Sequence, residues 1–213
     1  MNSVAQKTHS QLTQRRRPVQ ERSVKRVERI LDATASIVKE DGFTKLTTNL
    51  IAQRAGIPVG TIYQFFPNKS AILAALEQRV ADKVNNALDN ILERDSSNLN
   101  LIDELIDKMA RIWKEEEAVM LNWHALRMEP QFATVEEESF REVAERNERL
   151  MKKIGIRQPQ NGLLIGSLLQ ETISAQLDFR AKLPERAQEA ALKELKRMMR
   201  SYLKSHLSPA KDR

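Results

Sequence analysis

LTTNLIAQRAGIPVGTIYQFFPNKS, residues 46–70, reads as two short helices separated by a turn. Thr47 or Thr48 can cap a helix over about Asn49–Ala55, because a hydroxyl at that place accepts from an amide in the first turn. Leu50, Ile51 and Ala55 then point inward, while Gln53 and Arg54 stay exposed. Gly56 permits a sharp turn, Ile57 fills the space beneath it, and Pro58 suits a helix start where no amide donor is needed. The next helix, about Val59–Phe65, is only some two turns long. Within it Ile62, Phe65 and Phe66 are the inward candidates at spacings of three and four, which leaves Val59, Gly60, Thr61, Tyr63 and Gln64 as the outward set. This is the outline of a helix-turn-helix, whose second helix enters a DNA groove. Small residues at its start allow close approach to a duplex.

The flanks agree with that outline. Upstream, Val27, Ile30, Leu31, Ala33, Thr34, Ile37 and Val38 share one helical face from Arg22 to Asp41-Gly42, and this helix is the expected platform for the two short ones. Downstream, Pro67 stops the second helix and Asn68 caps a long amphipathic helix that begins at Lys69 and runs to about Glu93. After the break at Asp95–Asn98, helices are expected over Leu99–Glu117, Ala118–Met128, Phe132–Ile154, Gln160–Ala181 and Glu185–Leu207. No segment has strand alternation, so the fold class is all-α: a three-helix head over 22–68, a helical region over 69–207 and a tail at 208–213. Residues 1–21 are polar, contain Pro18 and lack an apolar period, and read as a disordered basic arm. Its Arg15-Arg16-Arg17 either follows a DNA groove or serves solubility.

Charge is placed where the helix-turn-helix is. The chain of 213 residues has a net charge of +6, but residues 1–72 hold 12 Lys/Arg against 5 acidic residues, leaving a net −1 for the remainder. A module that displaces counterions from phosphates needs that excess beside it. There is no cysteine, which rules out disulfides, thiolate zinc sites and a cysteine nucleophile. His9, His124 and His206 lack metal-ligand spacing, and no glycine-rich phosphate loop or nucleophilic triad is present, so neither a metal, a cofactor nor an enzyme activity is expected. No apolar run is long enough to span a bilayer or act as a signal peptide, so a cytoplasmic place without membrane contact is expected.

Two constellations lie beyond the head. Met109, Trp113, Met120, Trp123, His124, Met128, Phe132 and Phe140 bring both tryptophans together with flexible sulfur and aromatic side chains. They form either a packed core or a pocket for an apolar or aromatic ligand, with His124 as its titratable polar group. The acidic runs Glu115-Glu116-Glu117 and Glu136-Glu137-Glu138 are most simply solvated helix faces. In the last two helices, Leu163, Leu164, Ser167, Leu168, Glu171, Ile173 and Leu177 lie opposite Ala187, Ala191, Leu195, Met198, Met199, Tyr202 and Leu203. These rows either pack within one chain or form a four-helix seam between two, and recognition of a two-fold operator gives the second arrangement an independent reason.

Over about Arg22–Glu77 the chain resembles the TetR (tetracycline-repressor-like) family of bacterial transcriptional regulators. The likeness is carried in order by Ile30-Leu31-Asp32-Ala33, Gly42-Phe43, Thr47-Thr48, Ile51-Ala52, Ala55-Gly56-Ile57, Gly60-Thr61-Ile62-Tyr63, Phe66 and Asn68-Lys69. The resemblance implies a homodimer paired through its last two helices, binding a palindromic double-stranded DNA operator as a repressor and released by a small-molecule effector. It implies that Thr47 and Thr48 meet phosphate, that Gly60, Thr61 and Gln64 face base edges or nearby backbone, that Tyr63 touches phosphate and a thymine methyl, and that Lys69 reaches phosphate. Pro58 and Val59 depart from the family, which commonly has a Ser-like cap followed by a polar or basic residue. Gln64 is then the plainest candidate for bidentate adenine contact, with apolar contact and DNA shape supplying much of the remaining preference. The other functions compatible with the pattern are a helical small-molecule carrier and a non-specific DNA-binding protein.

Overall fold

The computed structural model describes residues 21–117, 119–120, 133–156 and 159–207, and for 133–140 and 159–161 the backbone alone. The expected arm at 1–20, most of the helix expected at Ala118–Met128, and the tail from 208 lie outside the described residues. Eight α-helices and no strand are present among the described residues: α1 Glu21–Asp41, α2 Thr48–Ala55, α3 Val59–Phe65, α4 Lys69–Leu92, α5 Asn100–Glu115, α6 Ala133–Lys153, α7 Pro159–Ala181 and α8 Glu185–Lys204. The all-helical reading is therefore what the chain adopts.

The chain separates into two compact units, one comprising residues up to Ala81 with Glu116–Glu138, the other Asp82–Glu115 with Ser139 onward. In the first unit the platform helix α1 buries Val27, Ile30, Leu31, Ala33, Thr34, Ile37 and Val38, the face expected from their spacing. Ile30, Ile37, Leu46, Ile51, Ile62, Phe66 and Ile72 are among its fully buried side chains. Each such side chain stabilises by about 1.5–3 kcal/mol through removal of apolar surface from water. A 3-10 turn at Phe43–Lys45 leads into α2.

Polar contacts fix α1 against α2. Arg54 Nη1 donates to Ser36 Oγ at 2.7 Å and to Glu40 Oε1 at 2.8 Å, while Ser36 Oγ donates to the same carboxylate oxygen at 2.8 Å. The Arg54 guanidinium, and after it the Ser36 hydroxyl, hold the Glu40 carboxyl below the usual carboxylate range, and Glu40 raises Arg54 in return. Arg79 on α4 pairs with Asp32 at 2.6 Å and with Glu116 at 3.0 Å. Glu116 is buried, which corrects its expected place on a solvated face: the adjoining Glu117 pairs with Lys39 at 3.3 Å, so both acids are bound to cations of the same unit.

In the second unit the apolar stripe of α5, Leu101 to Trp113, is buried as its spacing requires. Trp113 Nε1 donates to Asp178 Oδ1 at 2.8 Å, tying α5 to α7. Arg200 reaches Asp103 and Asn100, both at 2.8 Å, and Lys196 pairs with Asp107 at 2.6 Å, so α8 is fixed to the polar edge of α5. Arg146 on α6 holds Asp89 on α4 at 3.1 Å. At Gly166, α7 lies so near α6 that an added Cβ would stand 3.0 Å from Asn147 Cβ and 3.3 Å from backbone atoms of Asn147 and Glu148.

Two outcomes follow from this packing. Gly166→Val inserts atoms where backbone cannot yield, and is expected to cost about 1–3 kcal/mol. A melting temperature equal to or above that of the parent chain contradicts the close α6–α7 approach. For Glu40 the carboxyl titrates lower in the folded chain than in the unfolded one, so its stabilisation is present above the unfolded carboxylate range and is lost as pH falls through the lowered value. Glu40→Gln is therefore expected to melt below the parent at neutral pH and to converge with it in acid. A gap that stays constant across the pH series counts against the ion pair.

Candidate DNA-binding surface

The turn between α2 and α3 has one backbone requirement. Gly56 sits at φ 62 and ψ 41, a left-handed conformation that closes α2 and that side chains with a Cβ adopt reluctantly. The amide of Ile57 returns to the Ala52 carbonyl at 3.0 Å and that of Gly56 to Gln53 at 3.2 Å, which satisfies carbonyls at the helix end. Arg29, reaching over from α1, donates Nη2 to the Ala55 carbonyl and lies 3.4 Å from that of Gly56. A cation at a helix C-terminus also complements the negative end of the helix dipole.

At the other end of α2, Thr47 Oγ1 accepts from the Leu50 amide at 3.1 Å and so is the N-cap. Thr47 itself is exposed. Thr48 Oγ1 and the Tyr63 hydroxyl lie 3.1 Å apart, which brings the start of α2 together with the outer face of α3. Tyr63 is 42% exposed and Val59 38%, both unusual for large apolar groups in this unit. Gly60 and Gln64 are exposed, Thr61 is half-buried, and Ile62, Phe65 and Phe66 are buried, so the inward and outward sets of α3 divide as their spacing requires. Asn68 Oδ1 accepts from the Ala71 amide at 2.9 Å and caps α4, beside half-buried Lys69.

The surface that results carries hydroxyl, amide and small apolar groups on two helices, with Gly56 and Arg29 at their junction and the Ser36–Glu40–Arg54 contacts holding α2 to α1. Those holding residues were not apparent from apolar periodicity. The available signal was the row Arg22, Arg26 and Arg29 at spacings of four and three, which marks one edge of α1 as basic.

The second constellation is described only in part. Met109 and Trp113 are 6% and 5% exposed in the core of the second unit, and the indole N–H of Trp113 is engaged by Asp178. Met120 is half-buried and belongs to the first unit. Trp123, His124, Met128 and Phe132 lie outside the described residues, as does the side chain of Phe140. Among the described residues no group of three or more His, Asp or Glu is placed to hold a metal ion, and no helix is long and apolar enough to cross a membrane.

Comparison with known proteins bears on the whole chain. Residues 30–76 match the family described as "Bacterial regulatory proteins, tetR family", and residues 97–207 match "Tetracyclin repressor-like, C-terminal domain". The HTH-type transcriptional repressor KstR of Mycolicibacterium smegmatis is 28% identical over 86 residues, 40% of this chain and 42% of that protein. The chain thus spans less than half the length of the KstR relatives it matches. Among solved structures, a TetR-family transcriptional regulator from Streptomyces coelicolor superposes with a TM-score of 0.62 at 26% identity, covering 85% of this chain and 99% of that one. SmeT, the repressor of the Stenotrophomonas maltophilia multidrug efflux pump SmeDEF, superposes in its triclosan complex with a TM-score of 0.67 at 22% identity, covering 87% of this chain and 93% of that one. With both of its parts matched, one of them over more than half of the chain, this protein belongs to the tetR family of bacterial regulatory proteins and is a DNA-binding transcriptional regulator, not an enzyme.

Proposed function

We propose that the chain acts as a homodimeric repressor in the cytoplasm, with residues 22–68 as the DNA-binding head and 69–207 as the region that pairs two chains and takes a small apolar or aromatic effector. The observation that carries the DNA half of this reading is the hydroxyl contact between Thr48 and Tyr63. It sets the start of α2 and the outer face of α3 on one surface, where Thr47 and Thr48 meet phosphate and Gly60, Thr61 and Gln64 face the bases. Gln64 is the side chain suited to a bidentate adenine contact, and Val59 offers an apolar face to a thymine methyl. Tyr63 and Lys69 contact the backbone on either side.

Pairing is supported by where apolar surface remains. Leu163, Leu164, Leu168 and Phe179 on α7 and Met198 and Tyr202 on α8 are each 36–58% exposed. Ile173, Leu177, Leu195, Met199 and Leu203, also candidates for the seam, are instead buried within the chain. The expected rows therefore divide into an inner face that packs α7 on α8 and an outer face that a second copy covers in the same way under two-fold symmetry. For the effector, the support is the fold shared with SmeT, which binds triclosan, together with the methionine and aromatic content around Met109 and Trp113.

A gel-shift titration against genomic sites selected by the parent protein tests the DNA half. Tyr63→Ala and Gln64→Ala are each expected to weaken binding on the order of tenfold, equivalent to about 1–3 kcal/mol per lost base or backbone contact, with unchanged melting. Parent-like affinity for both variants removes α3 as the reading helix. Release of the shifted duplex by a small apolar aromatic compound is the outcome expected in the same titration. Pairing is tested by Leu164→Glu/Leu168→Glu, which places charge in the middle of the outer face. Sedimentation is expected to show dimers for the parent and monomers for the variant; a variant that remains dimeric moves the seam elsewhere.

A further inference from the structure

The edge of α1 that faces α2 continues past α2. Along it, from the C-terminal end, Glu40 and Ser36 meet Arg54, and Arg29 meets the Ala55 and Gly56 carbonyls. Arg26 and Arg22 follow on the same edge, because spacings of three and four keep side chains in line. At a rise of 1.5 Å per residue they stand about 5 and 10 Å beyond Arg29 along the helix. Both are exposed, and neither pairs with any described residue. That sets them apart from their neighbours: Lys25 is bound by Glu21 at 2.6 Å, Lys39 by Glu117 at 3.3 Å, Lys45 by Asp41 at 3.2 Å, and Arg54 and Arg79 by the acids already described. Among the described residues of the first unit, five cations are neutralised by nearby acids, whereas Arg22 and Arg26, like Lys69, have no acidic partner.

Their position gives the charge a partner. Arg29 grips the end of α2, and from that end only Ile57 and Pro58 separate Gly56 from the first residue of α3. Arg26 and Arg22 therefore continue along α1 from the junction that leads into Val59, Gly60 and Thr61 of α3. We propose that the Arg22–Arg26 edge of α1 is a second phosphate-binding surface, which takes the sugar-phosphate backbone beside the groove that α3 enters. The proposal rests on the reading of α3 as the recognition helix and extends the contact beyond α2, α3 and the start of α4. Two guanidiniums one turn apart repel each other in the free protein and gain most from a polyanion with regularly spaced charges. Contacts of this kind position the head and add affinity without selecting sequence.

The test is the salt dependence of binding by the full chain. Each phosphate contact contributes about 0.9 to the slope of log K against log salt concentration, so Arg22→Gln/Arg26→Gln is expected to lower the slope by about 1.8 for each bound head. Affinity falls on the order of tenfold or more at 0.15 M salt by the same relation. The loss is expected to be equal on the selected site and on random duplex, with parent-like melting, since neither side chain is packed or paired. A charge-matched control, Lys182→Gln/Arg186→Gln in the second unit, is expected to keep the parent slope. If the parent itself binds DNA without salt sensitivity, the recognition-helix reading fails as well. If the parent binds and the double variant keeps its slope, or the control loses as much, this edge is not a phosphate surface; an edge that serves an acidic protein or an anionic lipid surface gives that result.

Discussion

Helices of eight and seven residues do not hold themselves together in water, because the cost of forming the first turn is recovered only over a longer run. The two helices of the candidate DNA-binding surface, α2 and α3, are of this length, so their existence and their mutual angle are imposed from outside. Three kinds of contact do this. Ile51, Ile62, Phe65 and Phe66 anchor their inner faces in a common core. The left-handed turn at Gly56 fixes where one stops and the next begins, and Arg29 holds the carbonyls at that junction. The Ser36–Glu40–Arg54 group then sets α2 against the platform. Exposed ion pairs contribute little each to stability, and their value here is geometric: they select one arrangement among several that the apolar contacts alone would tolerate.

How much of this was legible in the sequence differs by kind of interaction. Period and punctuation give elements directly, so Val59–Phe65 and the buried face of α1 agree with the structure residue by residue. Asn68, and Thr47 as one of two adjacent candidates, were legible as caps because their hydrogen bonds are local, within three residues. Arg29, Arg54 and Glu116 were not, since their partners lie 26, 14 and 37 residues away and nothing in a linear pattern marks such a pairing. Glu116 shows the limit most clearly. A run of three glutamates looks solvated, yet its middle member is buried because Arg79 is there to meet it.

The last two helices show a different limit. Their apolar residues were visible, but periodicity alone does not say which row turns inward when a helix is apolar on more than one side. Packing of α7 on α8 within the chain consumes Ile173, Leu177, Leu195, Met199 and Leu203, and what it leaves over is a coherent outer row. The division is a property of the tertiary fold, and it is what turns an ambiguous pattern into a surface with an inside and an outside.

That outer row has a kinetic side. Folding of one chain is a first-order event, whereas covering Leu163, Leu164, Leu168 and Met198 with a second copy, as proposed above, would be second-order and slow as chains become scarce. A scarce chain would then pass through an interval in which it is already folded with that row still open to water. On the proposed pairing, the abundance of the chain would set its stability and its solubility together, through one stripe of leucine and methionine far in sequence from α2 and α3.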